Sequence, residues 1–200
     1  MLKIYGRPDS SNSAKVFWLL DEIGADFEHI LCGGRHGGND RPEYRAINPH
    51  GKVPTIDDDG TIVWESNAIL RYLAERYGAT ALWPQAARER AHIDQWMDWS
   101  ATALVPALGR VRKSLKDNRS AAEALMPAAI AAFTAFDAQL STSQFMAGDN
   151  FTLADIASGP AVARWFLVPF PKPELRNLGD YLGRLAERPS FKRTIAPHIS

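Results

Sequence analysis

The amino-acid sequence predicts a two-part chain: an α/β domain with one small sheet flanked by helices, followed by an all-helical domain. Three observations support this prediction. Strand-like and helix-like segments alternate over residues 1–79, a hairpin signal occurs among them, and residues 86–200 show helical periodicity with almost no alternation. The two predicted domains are therefore 1–79 and 86–200, with a linker around Trp83 and Pro84.

The first strand and the first helix are predicted within residues 2–24. The segment LKIYG (2–6) alternates briefly and ends in a Gly-x-Pro sequence, as a short buried strand does. From Ser13 onward apolar residues recur at helical spacing, and Gly24 fits the end of that helix. Ser10, Ser11 and Asn12 occupy the turn between strand and helix, where such residues commonly cap the first-turn amides.

The rest of the first domain is predicted as a strand, a loop, a hairpin and a helix. DFEHILC (26–32) has the composition of a strand, and GGRHGGND (33–40) that of a mobile glycine-rich loop. Val53–Ile56 and Thr61–Trp64 are rich in β-formers and flank the favoured turn pair Asp59-Gly60. SNAILRYLAERYG (66–78) then has one apolar stripe and a terminal glycine, which predicts an amphipathic helix.

Four segments of the second domain are predicted to be helical: residues 89–111, 120–140, 152–167 and 173–191. The third begins with a capping box, in which Thr152 caps the helix and Asp155 hydrogen-bonds back to it. Phe151 and Ile156 have the spacing of the accompanying hydrophobic staple. This motif predicts a folding device rather than a binding site.

Composition and missing motifs exclude several classes of function. The 200 residues include 46% apolar and 23% charged side chains, and 23 basic residues balance 23 acidic ones. No long-range field therefore favours nucleic acid or an anionic membrane. One cysteine excludes an internal disulfide and a cysteine-built metal site, and five histidines show no metal-binding spacing. GxSxG, P-loop and GxGxxG motifs are absent, and we expect a cytoplasmic protein without membrane or nucleic-acid partners.

Two short motifs have the chemistry to bind a small zwitterionic ligand. In NPHGKVPTI (48–56), Pro54 either begins a strand or forms a cis bond that exposes the Val53 backbone to an extended ligand. In WESNAIL (64–70), Ser66 either caps a helix or holds a carboxylate at the positive helix end. Glu65 beside it is placed to pair with an ammonium group.

The order of these motifs resembles that of glutathione S-transferases. It comprises a serine-containing turn before the first helix, NPHGKVPTI, ESNAILRYL, a change to helices near residue 85, and GDNFTLADI (148–156). The resemblance implies a thioredoxin-like N-terminal domain, an all-helical C-terminal domain and a cytosolic homodimer. It also implies glutathione as co-substrate and no metal.

The resemblance also implies roles for individual residues. The Val53 backbone at cis-Pro54 would bind the cysteinyl part of glutathione, Glu65 and Ser66 its γ-glutamyl end, and Lys52, Arg35 and His36 its glycine carboxylate. The residues implied near the sulfur are Ser10 first, then Asn12, then Ser11. A hydroxyl donor at the positive end of a helix favours thiolate over thiol, which is the chemistry such a reaction needs.

We therefore expect a detoxifying transferase that adds the glutathione thiolate to a small, mostly apolar electrophile. Its pocket is expected between the domains, near Trp99 and residues around Trp165-Phe166. Two alternatives stay open: a glutathione-dependent disulfide reductase, and a non-enzymatic ligand-binding or interaction module. A homodimer is expected through the helical stripe that includes Arg71 and Tyr72, beside the helix containing Trp96.

Overall fold

The computed structural model of the chain describes residues 1–199 and contains a small sheet followed by helices alone. The N-terminal part consists of β1 (Leu2–Gly6), α1 (Ser11–Ile23), β2 (Glu28–Leu31), α2 (Pro42–Ile47), β3 (Thr55–Asp58), β4 (Thr61–Trp64) and α3 (Ser66–Arg76). The C-terminal part consists of α4 (Ala87–Trp99), a π-helical segment (Ser100–Leu104), α5 (Val105–Leu115), α6 (Arg119–Ala124), α7 (Met126–Leu140), α8 (Leu153–Trp165), α9 (Arg176–Glu187) and α10 (Pro189–Thr194). Short 3-10 turns lie at Gly34–His36 and Ala196–His198.

The sheet is mixed and has the strand order β2-β1-β3-β4. β1 is parallel to β2 and antiparallel to β3, and β3 is antiparallel to β4. The predicted hairpin turn is present, with Asp59 at φ 49° and Gly60 at φ 95°. Two consecutive positive φ angles match the twist of a two-residue hairpin, which explains why Asp-Gly occupies the turn.

The two faces of the sheet are covered by different helices. Ile4 and Ile56 are paired in register, completely buried, and part of the core that α1 and α3 share. Tyr5 points to the opposite face because side chains alternate along a strand. There its ring meets the edge of Tyr44 from α2, with centroids 5.9 Å apart. The sheet therefore lies between α1 and α3 on one side and α2 on the other.

Three details of the first domain differ from the prediction. The strand expected at Val53–Ile56 begins at Thr55, because Pro54 has no N–H to donate to a ladder. The second strand is shorter than predicted, Glu28–Leu31, and α1 begins two residues earlier than predicted, at Ser11. The sequence did not predict α2, whose six residues include one buried side chain, that of Tyr44.

Helix α8 is the centre of the helical domain, since every residue from Leu153 to Trp165 is buried. The predicted capping box is confirmed at its start. Thr152 Oγ1 accepts a hydrogen bond from Ala154 N at 3.3 Å, and Asp155 Oδ2 accepts one from Thr152 N at 2.8 Å. The helix predicted over 89–111 is present as a continuous helical run through α4, the π-helical segment and α5.

The helical domain packs directly on α1. The indole of Trp18 is completely buried, and its centroid lies 5.5 Å from that of Phe151. At the end of α1, Arg188 donates two hydrogen bonds to Glu22, at 2.8 and 2.7 Å. Within residues 1–199, no helix is long and apolar enough to cross a membrane.

Candidate functional site

A small cavity of about 40 Å³ lies where the segment before β3 meets the first turns of α1 and α3. Eight residues line it: Asn12, Asn48, His50, Lys52, Val53, Pro54, Glu65 and Ser66. Six of these were predicted as site residues, which leaves Asn48 and His50 as additions from the structure. The three predicted segments are thus brought to one place although they are separated by up to about 50 residues in sequence.

The Val53-Pro54 peptide bond at this cavity is cis. Two side chains of the α2 region hold the segment around it. Tyr44 Oη donates to the carbonyl of Lys52 at 2.5 Å, and Asn48 Nδ2 donates to the same carbonyl at 2.9 Å. Asn48 Nδ2 also donates to Thr55 Oγ1 at 2.9 Å. Helix α2 therefore positions the backbone that faces the cavity.

The buried phenol of Tyr44 remains a donor over the physiological pH range. Burial raises the pKa of Tyr44 to about 12, partly opposed by its hydrogen bond to Thr55. Tyr44 donates its one hydroxyl proton to the Lys52 carbonyl. In the 2.8 Å contact between the two hydroxyls, Thr55 Oγ1 is therefore the donor and Tyr44 Oη the acceptor. This hydrogen-bond network fixes the segment between α2 and β3 through Asn48, Lys52 and Thr55.

The turn into α3 carries an unusual backbone conformation at Glu65. Its φ of 69° with ψ of 117° lies where side-chain-bearing residues are rarely found. Strain of this kind costs about 1–3 kcal/mol and is concentrated at functional sites. Glu65 is exposed and makes no side-chain cap bond, whereas Ser66, the first residue of α3, is 7% exposed. Ser66 thus presents its amide and hydroxyl at the positive end of a helix.

Lys15 lies behind these two residues and was not predicted as part of the site. It is 2% exposed, and its Nζ lies 3.5 Å from Ser66 Oγ. Burial lowers the pKa of Lys15 to about 8, while the nearby Glu65 carboxylate opposes that shift. A buried ammonium group next to the cavity makes this end of the site attractive to an anion.

The three residues of the α1 turn have different positions. Ser10 is the N-cap of α1, and its Oγ accepts from Ser13 N at 3.4 Å. Ser11 is the first residue of the helix and is half-buried, while Asn12 is exposed and lines the cavity. Ser10 and Ser11 lie beside the cavity rather than in its lining.

Arg35 and His36 are not brought to the cavity. Both are exposed in the short turn after β2, where Arg35 Nε lies 3.3 Å from His36 Nε2. The one cysteine, Cys32, is 6% exposed at the end of β2, and burial raises the pKa of its thiol. A buried cysteine with a raised pKa is a poor nucleophile.

Of the aromatic residues in the region where an electrophile pocket is expected, Trp165 is itself buried. That indole is 1% exposed and stacks on Phe133 with centroids 4.3 Å apart, so it belongs to the core. Trp99 is half-buried against Trp96, and Phe166 is 39% exposed. Among residues 1–199, no group of three or more acidic, histidine or cysteine side chains could hold a metal ion.

The mixed four-stranded sheet with its helices is a thioredoxin-like domain, and an all-helical domain follows it. Family models for the N-terminal and C-terminal domains of glutathione S-transferases match residues 4–81 and 87–189. The chain belongs to the glutathione S-transferase family. The predicted family, fold class and enzyme class are thereby confirmed.

Individual relatives agree with this assignment. Glutathione S-transferase GstB of Escherichia coli is 35% identical over 208 residues, and the alignment covers 100% of both chains. The theta class glutathione S-transferase of Xanthomonas axonopodis pv. citri, solved with glutathione bound, has a TM-score of 0.92 and 38% identity, with 100% of this chain and 99% of that one covered. The disulfide-bond oxidoreductase YfcG of Escherichia coli is 33% identical over 180 residues, which cover 82% of this chain and 80% of that protein.

Proposed function

We propose that this protein binds glutathione at the cavity between Pro54 and Ser66, ionises its thiol, and adds the thiolate to a small, mostly apolar electrophile. The observation that carries the proposal is the meeting of three features at one place: the Val53 backbone, the strained Glu65-Ser66 turn and the first turn of α1. An extended tripeptide needs main-chain partners in its middle and charged partners at its ends, and these features have that order.

The site divides the ligand among its residues. The Val53 backbone would bind the cysteinyl part, Glu65 the γ-glutamyl ammonium group, and Ser66 the γ-glutamyl carboxylate. Lys52 and His50, which line the cavity, would bind the glycine carboxylate. Arg35 and His36 would contribute to the same carboxylate from the loop outside the cavity. In this arrangement residues 1–79 bind glutathione, and residues 86–200 provide the electrophile pocket.

Ionisation of the thiol needs only modest stabilisation. A free thiol has a pKa of about 8.5. The end of α1 contributes about 0.3–1 kcal/mol, and a hydrogen bond from Ser10 to the charged sulfur about 1.5–3 kcal/mol. At 1.36 kcal/mol per pKa unit, the two together lower the thiol pKa by about one to three units, so that thiolate predominates near neutral pH.

The alanine variants at Ser10, Ser11 and Asn12 test which residue faces the sulfur. If Ser10 donates to sulfur, Ser10→Ala raises the pKa of bound glutathione by a unit or more. The cap bond at 3.4 Å is long, so the same change lowers the free energy of unfolding by only about 0.5 kcal/mol. The measurement is thiolate ultraviolet absorbance against pH for each variant, and three unshifted titrations would refute the assignment.

The assignment of Glu65 and Ser66 is tested by binding. Glu65→Gln and Ser66→Ala each remove a partner of a desolvated ligand charge, and each is expected to weaken glutathione binding by about 1–3 kcal/mol. Isothermal titration measures the affinity, and far-ultraviolet circular dichroism checks that the helices persist. Unchanged affinity in both variants would mean that the γ-glutamyl end binds elsewhere.

Disulfide reduction with glutathione as the thiol is the second candidate function. It is favoured by the 33% identity to the disulfide-bond oxidoreductase YfcG and by Asn12, which lines the cavity near the expected sulfur position. Parallel assays with an aryl halide and with a mixed disulfide distinguish the two reactions. The homodimer, the detoxifying role and the cytoplasmic location expected from the sequence stay predictions.

A further inference from the structure

The buried side chain of Lys15 supports an inference about how the carboxylate end of the site works. Lys15 lies in the second turn of α1 among core residues, with Val16 beside it completely buried. Its ammonium group reaches 3.5 Å from Ser66 Oγ across 51 residues of sequence. Charged lysine is almost never fully buried unless it has a partner, so this position requires an explanation.

The chemistry of the contact fixes the direction of the hydrogen bond. An ammonium group has three donors and no acceptor, whereas a serine hydroxyl both donates and accepts. Lys15 therefore donates and Ser66 Oγ accepts. The Ser66 proton is then directed away from Lys15, and Ser66 can donate from both its hydroxyl and its amide to an anion at the start of α3.

The ammonium group is under-compensated by the protein alone. Within residues 1–199, Ser66 Oγ is the one hydrogen-bond acceptor that the structure places within reach of Lys15 Nζ, and that contact is long. Glu65 is the charged neighbour that acts on it. Charged groups of α8, of α10 and of the junction before α10 contact other turns of α1 or the residues before it: Arg164 donates to Asp9 O, Arg188 to Glu22, and Arg193 to Asp21.

We propose that Lys15 is a positioning residue of the γ-glutamyl site. It orients the Ser66 hydroxyl toward the ligand carboxylate and supplies the counter-charge from behind. The inference rests on the proposed glutathione site and adds to it a residue that does not touch the ligand. Glu65 then interacts with two cations, Lys15 and the ligand ammonium group, which gives a functional reason for the strained turn.

The proposal predicts that binding is coupled to a proton. Burial lowers the pKa of Lys15 to about 8, so near pH 8 roughly half of the free protein carries an uncharged lysine. A bound carboxylate favours the charged form and raises that pKa. Lys15 therefore takes up a fraction of a proton when the ligand binds near pH 8. The affinity of the protein for the ligand is highest below that pH and falls as pH rises through it.

The test uses S-methylglutathione, which lacks an ionisable thiol. Isothermal titration near pH 8 in two buffers of different ionisation enthalpy gives both the affinity and the number of protons taken up. The wild type is compared with Lys15→Arg, which keeps the charge but cannot lose its proton, and with Lys15→Met, which keeps the length without the charge. Unfolding midpoints are measured for all three.

We expect the wild type to take up a few tenths of a proton more than the arginine variant. The arginine variant is expected to bind S-methylglutathione as tightly as the wild type does. The methionine variant is expected to bind about tenfold or more weakly with an unchanged or raised unfolding midpoint, because a buried charge is replaced by an apolar chain. A purely structural lysine would instead lower the midpoint and leave affinity unchanged. Equal proton uptake in wild type and arginine variant overturns the inference, as does wild-type affinity in the methionine variant. No binding by the wild type refutes the glutathione site itself.

Discussion

Replacing Asp155 with alanine tests how far the helical domain depends on one buried carboxylate. Asp155 is completely buried in α8. It accepts four hydrogen bonds, from Met146 N at 2.8 Å, Thr152 N at 2.8 Å, Thr152 Oγ1 at 3.2 Å and Tyr181 Oη at 3.0 Å. These bonds join the first turn of α8 to the loop before it and to α9.

The expected loss follows from the donors that Asp155→Ala leaves behind. Two backbone amides and the Tyr181 hydroxyl stay buried without an acceptor, at a cost of about 1–3 kcal/mol each. Burial raises the pKa of Asp155 to about 6. Removing the carboxylate also removes the desolvation cost of a buried charge, which offsets part of that loss. The net expectation is about 3 kcal/mol, a large fraction of the roughly 5–15 kcal/mol typical of folded proteins.

Urea unfolding followed by circular dichroism measures this loss. Asn118→Ala is the matched control, because Asn118 Oδ1 caps α6 by accepting from Ala121 N at 2.9 Å at an exposed position. Water replaces that bond, so the control is expected to cost about 0.5–1 kcal/mol. Tyr181→Phe combined with Asp155→Ala should cost less than the sum of the two, since the stranded hydroxyl is gone. The reasoning fails if Asp155→Ala is no more destabilising than Asn118→Ala.

Three further predictions concern packing, ion pairing and assembly. Gly159→Ala in α8 should lower the free energy of unfolding in urea by about 1–3 kcal/mol, because the new Cβ would lie 2.6 Å from Trp18 Cζ3. The control Gly179→Ala in α9 has open space around it and should leave the stability unchanged or raise it. Glu22→Gln should lower the free energy of unfolding by about 2 kcal/mol, because it breaks the paired hydrogen bonds from Arg188. The control Glu174→Gln should change it by less than about 0.5 kcal/mol, because the Glu174 side chain is 76% exposed in its pair with Arg176. Light scattering at micromolar concentration should give twice the 22.1 kDa of one chain, and a 22.1 kDa species would exclude the homodimer.

The structure changes the basis on which that dimer was expected. Arg71 was predicted to need a partner on a second chain, yet it already donates to Asp94 at 2.6 Å and to Asp98 at 2.8 Å. Tyr72 Oη likewise donates to Asp58 at 2.8 Å. Both side chains are half-buried within one chain. The homodimer therefore depends on the family resemblance more than on an unsatisfied stripe.

Local sequence patterns predicted most of the N-terminal domain, because the signal for each helix or strand lies within a short run of consecutive residues. The apolar spacing of α1 and α3 and the Asp-Gly turn each need fewer than about fifteen residues to recognise. Helix α2 was not predicted, because it has six residues and one buried side chain, Tyr44, which are too few to show helical periodicity. Its importance is tertiary: Tyr44 holds the Lys52 carbonyl beside the cis-proline.

The candidate site was predictable to the same extent and for the same reason. Glu65, Ser66, Pro54 and Asn12 stand in short motifs whose turn chemistry is local, and the structure places all four at one cavity. Lys15 has no such motif. Its burial depends on a contact with Ser66 that lies 51 residues away, so helical periodicity alone marked it only as one residue of α1.

The two buried charges of this chain illustrate how a structural group differs from a functional one. Asp155 accepts four hydrogen bonds from three residues, so its environment is complete without any ligand. Lys15 has one long hydrogen bond, to Ser66, which directly follows a residue with φ of 69°. Both an under-compensated ammonium group and a strained turn reduce stability, and folding alone gives no reason to keep them together. A ligand that carries one carboxylate and one ammonium group would compensate both in the proposed arrangement, in which the carboxylate faces Lys15 and Ser66 and the ammonium group faces Glu65. The stability lost at Lys15 and Glu65 therefore points to a zwitterionic ligand at this end of the cavity, independently of family resemblance.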